Sequence, residues 1–168
     1  LKLVNAALAH VRGNAFLGNS NGGILLYENC GEYPDRTSYF ERRYPADDNL
    51  IEQNTFLGGR NGVWVGSRMA ENTLPMDCGK PAYIDEPGRR VVLDHAADNV
   101  IRQNSFIDVT YGVRVEDDGN QVLDNHFTAS SPDHHAVLVG TPFRNDVLGE
   151  PVTGTVLEGN VSDIVDNP

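Results

Sequence analysis

A short pattern recurs along the chain and restricts its fold more than any other feature. The copies are NLIEQNTF from Asn49, NVIRQNSF from Asn99, NQVLDNHF from Asn120, AHVRGNAF from Ala9 and a degenerate TVLEGNV from Thr155. Each copy places an apolar residue before an Asn at a fixed distance, and four of them place a Phe shortly after it. Self-similarity at a short period predicts a solenoid, in which successive repeats stack on one another.

The recurring Asn predicts a ladder inside one turn of the stack, because each side-chain amide can bond the amides above and below it. The ladder residues are Asn14, Asn54, Asn104, Asn125 and Asn160. The fixed spacing from Asn to Phe predicts a second stack, buried, of Phe16, Phe56, Phe106 and Phe127.

A second pattern follows the first and predicts a strand with one buried face. Its copies are GGILLY, NGVWVG, YGVRVE and HAVLVG. Side chains alternate along a strand. The alternation therefore directs inward Ile24, Leu26, Val63, Val65, Val113, Val115, Val137 and Val139, and outward Leu25, Trp64, Arg114 and Leu138.

The repeat spacing predicts three strands per coil. The copies at Asn99 and Asn120 begin 21 residues apart, which is about the minimum for a three-strand coil. The other intervals are longer, and each surplus follows a GVWV-type strand. We therefore expect four to five coils with long insertions on one corner, where solenoids build binding surfaces.

Composition excludes several classes of function. Asp and Glu outnumber Lys and Arg by 24 to 13, giving a net charge of -11, and such a field repels nucleic acid. No apolar run approaches the length of a membrane span, so no membrane insertion is expected. Residues 1–168 are interpreted as a single domain, and because LKLVN already reads as a strand, as the C-terminal part of a longer β-helix.

The two patterns together resemble the right-handed parallel β-helix superfamily, and among its members the repeats of carbohydrate-binding and sugar-hydrolase domains and of mannuronan C5-epimerases. The resemblance implies an all-β, right-handed parallel β-helix with polysaccharide bound along the GVWV-type strands. It specifies the fold rather than the chemistry. The D-P-H-E motif of the epimerases is absent, and Ser131-Pro132-Asp133-His134 is a poor match to it. The G-H-G and R-I-K motifs of galacturonases are missing as well.

The substrate-binding candidates are Trp64, Arg114 and Arg68. Trp64 and Arg114 are expected on neighbouring coils, where an indole offers a plane to a sugar ring and a guanidinium can fork onto a carboxylate. The alternative is that Trp64 packs under an insertion and Arg114 pairs with a local acid.

The catalytic candidates are Glu116, Asp117 and His134. Glu116, Asp117 and Asp118 bring three carboxylates into one turn, where like charges raise a pKa as a general acid requires, or where two carboxylates clamp calcium. A solvated acidic turn is the alternative. His134 precedes the fourth outward-facing strand and could act as a base. No spacing of His and Cys suggests a transition-metal site.

Cys30 and Cys78 fall in the insertions of adjacent coils, which predicts a disulfide in an oxidising compartment and hence a secreted or cell-surface protein. Two free thiols are the alternative.

Two functions remain open. One is a lyase, C5-epimerase or hydrolase acting on uronate-containing glycan. The other is a non-catalytic glycan-binding or structural module, which outward Leu25 and Leu138 favour. The sequence predicts neither the glycan nor the oligomeric state.

Overall fold

The structure is a computed structural model that describes residues 1–4, 7–28, 37, 44–71, 83–86 and 89–164. It is an all-β fold with one short helix in the described residues. The strands are β1 (Lys2–Val4), β2 (His10–Arg12), β3 (Ala15–Asn19), β4 (Ile24–Tyr27), β5 (Leu50–Glu52), β6 (Thr55–Gly59), β7 (Asn61–Val65), β8 (Tyr83–Glu86), β9 (Arg89–Val92), β10 (Val100–Arg102), β11 (Ser105–Ile107), β12 (Tyr111–Val115), β13 (Gln121–Leu123), β14 (His126–Ala129), β15 (His135–Val139), β16 (Val156–Glu158) and β17 (Val161–Ile164). The helix is α1 (Pro142–Leu148).

The strands assemble into three parallel sheets of five strands each. Sheet A is β1-β4-β7-β12-β15, sheet B is β2-β5-β10-β13-β16, and sheet C is β3-β6-β11-β14-β17. The chain visits sheets B, C and A in turn, and each such passage is called a coil below. This topology is compatible with a parallel β-helix.

Two described excursions leave the stack, both after a strand of sheet A. The antiparallel pair β8-β9 lies between β7 and β10. Helix α1 lies between β15 and β16, and its N-cap is Thr141, whose side chain accepts a hydrogen bond from the Arg144 N–H. It ends at Gly149, which has the left-handed conformation usual at this position. No helix among the described residues is long and apolar enough to cross a membrane.

The core is built from apolar side chains at equivalent positions of successive coils, which stack on one another. Val11, Ile51, Ile101 and Val122 line sheet B, and the predicted inward residues of sheet A are buried, except that Val137 and Val139 of the fourth coil are partly exposed. The rings of Phe16, Phe56, Phe106 and Phe127 stack with centroids 4.8, 4.7 and 4.8 Å apart. The spacing of the rings follows that of parallel strands.

Glycines of the second pattern make room for this stack. A Cβ on Gly62 would lie 2.5 Å from the Phe106 ring, and one on Gly112 would lie 2.5 Å from the Phe127 ring. Neither distance is sterically possible, so the glycine at the second position of β7 and of β12 is required by packing rather than by backbone conformation.

The Asn ladder runs through the corner between sheets B and C. From Asn54 onward, the Oδ1 atom of each Asn accepts bonds from the backbone N–H and the Nδ2 of the Asn in the preceding coil, as between Asn104 and Asn54, with distances of 2.9 and 3.1 Å. The same pairing links Asn14 to Asn54, Asn104 to Asn125, and Asn125 to Asn160. The ladder therefore satisfies buried backbone groups that no strand pairs.

A second ladder, which the sequence analysis did not identify, occupies the corner between sheets A and B. Asn49 bonds Asn99 through Nδ2 at 2.8 Å, and Asn99 bonds Asn120 at 3.0 Å. All three are fully buried. They stand at the first position of the repeat, where the end copies have Ala9 and Thr155.

The residue before each ladder position adopts a positive φ. At the first ladder these residues are Gly13, Gln53, Gln103, Asp124 and Gly159, with φ of 68°, 54°, 53°, 52° and 64°. A side chain is strained in this left-handed region, whereas glycine is not.

We therefore expect Gln103→Gly to raise the free energy of unfolding by about 1 kcal/mol, because it relieves this strain at an exposed corner. Its one side-chain hydrogen bond there, from Gln53 at 3.2 Å, is exposed and contributes little. Urea denaturation would measure the change. Gln121→Gly, inside strand β13, is the matched control and should be destabilising. Equal effects of the two changes would contradict the strain argument.

Candidate functional site

One row of outward-facing side chains crosses sheet A. Strand pairing aligns Lys2 with Leu25, Leu25 with Trp64, Trp64 with Arg114, and Arg114 with Leu138. Trp64 and Arg114 thus lie on neighbouring strands, as expected. Their mutual arrangement is different from the expectation, because the Arg114 guanidinium carbon lies 3.9 Å from the centroid of the Trp64 ring. That face of the indole is covered by the cation.

Arg114 is also paired with an acid that follows directly after its own strand. Its Nη2 donates to Glu116 Oε1 at 2.8 Å, and the two side chains are 12% and 4% exposed. The Tyr111 ring lies 5.5 Å from the guanidinium on another side. This contact matches the alternative given in the sequence analysis, in which Arg114 pairs with a local acid. The guanidinium is therefore bonded within the protein rather than exposed to solvent.

Glu116 is the one catalytic candidate that lies beside this row. Its Oε2 accepts from the Thr141 N–H at 3.1 Å and from the Thr141 hydroxyl at 3.4 Å. The Arg144 Nε donates to the Glu116 carbonyl at 3.1 Å. Thr141, at the N-terminus of helix α1, and Arg114 therefore hold the Glu116 carboxylate in one orientation.

Asp117 and Asp118 turn away from Glu116 and connect coils. Asp117 accepts from the Ala96 N–H at 2.7 Å and the Asp118 N–H at 2.9 Å. Asp118 accepts from the Thr153 N–H at 2.6 Å. The pKa of Asp117 is raised, chiefly because the carboxyl is buried, and the neighbouring Asp118 is the smallest contribution. The crowding of like charges is therefore not the main cause.

His134 lies in a third environment. It is half-buried, and its Nδ1 is enclosed without a hydrogen-bond partner among the described residues. Its neighbouring acid is Asp108, whose pKa is lowered mainly by hydrogen bonds from the Ser130 N–H and hydroxyl, each 2.9 Å long, and slightly by His134. The adjacent His135 stacks on Tyr111 at 5.2 Å. The three catalytic candidates thus do not converge on one site.

Two hollows flank Trp64 on sheet A and share Trp64, Ser67 and Glu71 as walls, and together they are called the trough. Each has a volume of about 230 Å³. The acidic hollow is lined by Trp64, Ser67, Met69, Glu71, Arg114, Glu116, Thr141 and Phe143. The basic hollow is lined by Lys2, Leu25, Tyr27, Trp64, Ser67, Arg68 and Glu71.

Arg68, the third binding candidate, forms part of the basic hollow. Its guanidinium carbon lies 4.4 Å from the centroid of the Tyr27 ring, and its backbone N–H donates to Asp94 at 3.0 Å. Tyr27 is 6% exposed, so the ring is a buried support beneath the cation. Arg68 and Arg114 therefore lie on opposite sides of Trp64, each over an aromatic ring.

Sequence reasoning missed several residues of the trough. Lys2 and Tyr27 belong to strands of sheet A, and their strand positions were the available signal. Glu71, Thr141 and the exposed Phe143 follow strands β7 and β15, where insertions were expected but their folding was not predictable.

Neither a cation site nor the disulfide can be placed here. In the part of the chain that the structure describes, no three His, Cys, Asp or Glu side chains come together as a metal site would require. Cys30 and Cys78 both lie outside the described residues, so their bridge stays a prediction.

Comparison with known proteins adds no assignment. No protein-family model matches the chain, and neither a curated protein nor a solved structure shows significant similarity to it.

Proposed function

We propose that this chain is a right-handed parallel β-helix that acts on polysaccharide bound in the trough of sheet A. The handedness rests on the strong preference of parallel crossover connections for the right-handed sense. The observation that carries the functional proposal is the trough itself, in which two hollows continue past Trp64 along stacked strands. It reaches across four strands from Lys2 to Arg114, roughly 15 Å at the usual strand spacing, which suits an extended polymer.

The polar groups of the trough support a site rather than a surface that only packs. Trp64 Nε1 and Arg114 Nε are enclosed donors without a hydrogen-bond partner among the described residues. Each such donor costs about 1–3 kcal/mol, and native proteins keep few of them outside functional sites. A negatively charged chain with aromatic and charged groups in one trough favours sugar over nucleic acid.

The acidic hollow favours hydrolysis among the three reactions considered. Glu116, held by Arg114 and Thr141, and the exposed Glu71 are two carboxylates on one hollow. Glycosidases use two carboxylates, one to protonate the leaving oxygen and one to activate water or attack the sugar. We assign these roles to this pair, and we assign uronate-containing glycan as the substrate class.

A non-catalytic glycan-binding module is the second candidate. It is favoured by the mutual neutralisation of Arg114 and Glu116 at 2.8 Å and by the apolar residues Leu25 and Leu138, which flank Trp64 and Arg114 in the row. A secreted or cell-surface location is part of either proposal, because polysaccharide of this kind is found outside the cell membrane.

Glu71→Gln is expected to lower turnover of polygalacturonate or alginate about 10²- to 10⁴-fold, as the loss of a general acid or base does, with affinity nearly unchanged. Trp64→Ala should instead weaken binding of the same polymers. Reducing-end assays and calorimetry would separate the two effects. Leu57→Ala, an exposed apolar change on sheet C, is the control.

Binding without turnover in the unsubstituted protein would select the non-catalytic module. No binding to polygalacturonate, alginate or a neutral glucan would contradict both candidates.

A further inference from the structure

The basic hollow concentrates positive charge in an acidic chain. Lys2 and Arg68 line it together with the single carboxylate of Glu71, although acids outnumber bases by 24 to 13 over the whole sequence. The acidic hollow has the opposite balance, with Glu71 and Glu116 against Arg114. The trough is therefore polarised along its length, and Trp64 lies at the boundary.

Arg114 is poorly placed to receive a carboxylate from a ligand. Its guanidinium lies on the Trp64 ring, donates to Glu116 and is 12% exposed. A ligand carboxylate would have to displace Glu116, which would leave a buried carboxylate without its cation, and that exchange is unfavourable. An anionic group on the ligand must be recognised elsewhere in the trough.

The cations of the basic hollow are better suited to that task. Lys2 is exposed, so its ammonium can turn toward a ligand without breaking an internal network. Arg68 is half-buried, and its guanidinium carbon lies 4.4 Å from the centroid of the Tyr27 ring, which keeps the head group in the hollow. Guanidinium donors match the geometry of a carboxylate. Leu25 lies on β4, between β1 and β7, and provides an apolar wall of the hollow.

We infer that the basic hollow is the subsite that recognises the carboxylate of a uronate unit, with Lys2 and Arg68 as its specificity-determining residues. This inference rests on the proposed function and adds the direction of binding: the charged sugar lies on the Lys2 side of Trp64, and the bond to be cleaved lies on the Glu116 side. Since the cations act on the ground state and the transition state alike, their loss raises KM and leaves kcat unchanged.

The test uses two probes, a tetragalacturonate and its fully methyl-esterified form, which has the same sugar chain but a neutral methyl ester in place of each carboxylate, with calorimetric titration of each. The unsubstituted protein is expected to prefer the acid. Lys2→Gln should weaken binding of the acid about fivefold, as an exposed ion pair does, and leave the ester unchanged. Arg68→Gln should weaken the acid about tenfold or more.

Arg60→Gln, which removes one exposed cation outside the trough, is the matched control and should bind both probes as the parent does. Melting curves establish that each variant is folded. If Arg68→Gln is unfolded, the inference is tested by Lys2→Gln and the charge reversal Lys2→Glu alone. The reversal should weaken binding of the acid more than Lys2→Gln does.

Three results would overturn the inference. Equal binding of acid and ester, with both lost in Trp64→Ala, retains the proposed function and removes the carboxylate subsite. A preference for the acid that survives in Lys2→Gln and Arg68→Gln but is lost in Arg114→Gln assigns the carboxylate to Arg114. Failure of the parent to bind either probe removes the subsite, and the polymer panel described above then decides the proposed function separately.

Discussion

Replacing Phe106 by Ala is expected to lower the free energy of unfolding by about 3–5 kcal/mol, the range for a buried aromatic residue cut back to alanine. Phe106 is 2% exposed and lies between two parallel rings, 4.7 Å from Phe56 and 4.8 Å from Phe127. Gly62 leaves no side chain that could move into the space. The cavity therefore stays open, and chemical denaturation followed by circular dichroism would measure its cost.

Phe16→Ala provides the matched control for the Phe106 prediction. Phe16 ends the described stack, contacts one ring at 4.8 Å and is half-buried. Its removal should cost roughly half as much, because less area is buried and fewer contacts are lost. Equal losses at the two positions would show that the rings act singly and that the stack contributes no additional stabilisation.

The Phe stack and the Asn ladder could be predicted because their spacing is local. Four of the five ladder Asn residues have a Phe two positions later, as at Asn54 and Phe56, and this Phe must occupy the same place in each of those coils once the coils stack. The alternation of GVWV-type strands likewise gives inward Val63 and Val65 without knowledge of the partner strand. Parallel pairing in register then aligns equal positions.

The second ladder was harder to recognise because its ends are substituted. Asn49, Asn99 and Asn120 form it, but Ala9 and Thr155 occupy the same repeat position at the two ends of the chain. An Asn can form ladder hydrogen bonds with a neighbour on one side only, so the ladder tolerates another residue type at its ends. The sequence signal was an Asn at the first position of three of the five copies. The structure shows that this corner is buried, which explains why an Asn is needed there.

The sequence predicted which side chains of the candidate site point outward on adjacent strands, but not which contacts they make. Alternation placed Trp64 and Arg114 outward on adjacent strands. Continued for one residue past β12, it also places Glu116 on the same face as Arg114, which was an unused signal for their ion pair. The directions of Asp117 and Asp118 could not be predicted, because the alternation ends where β12 ends. Their bonds to Ala96 and Thr153 depend on loops from other coils.

Replacing Asn104 by Ala is expected to lower the free energy of unfolding by about 3 kcal/mol. The Asn104 Oδ1 accepts from the Asn54 N–H and Nδ2 at 2.9 and 3.1 Å, and its Nδ2 donates to the Ile51 carbonyl and to Asn125 Oδ1, both at 3.0 Å. The residue is 2% exposed, so water does not replace these bonds. Each buried group left unpaired costs about 1–3 kcal/mol, and the volume lost is small.

Two further variants distinguish the ladder from a simple loss of packing. Asn14→Ala, at the exposed end of the ladder, removes donors only, since Asn14 gives two side-chain bonds and accepts none among the described residues; it should cost well under half as much. Asn104→Asp keeps the shape and the acceptor but loses the donor, and it places a carboxylate against Asn125 Oδ1. The loss in free energy of unfolding should therefore be larger at neutral pH than at a low pH at which the new acid is protonated. If Asn104→Ala unfolds at the parental denaturant concentration, the amide ladder does not stabilise the stack, and the strand pairs and the Phe rings must hold the coils together on their own.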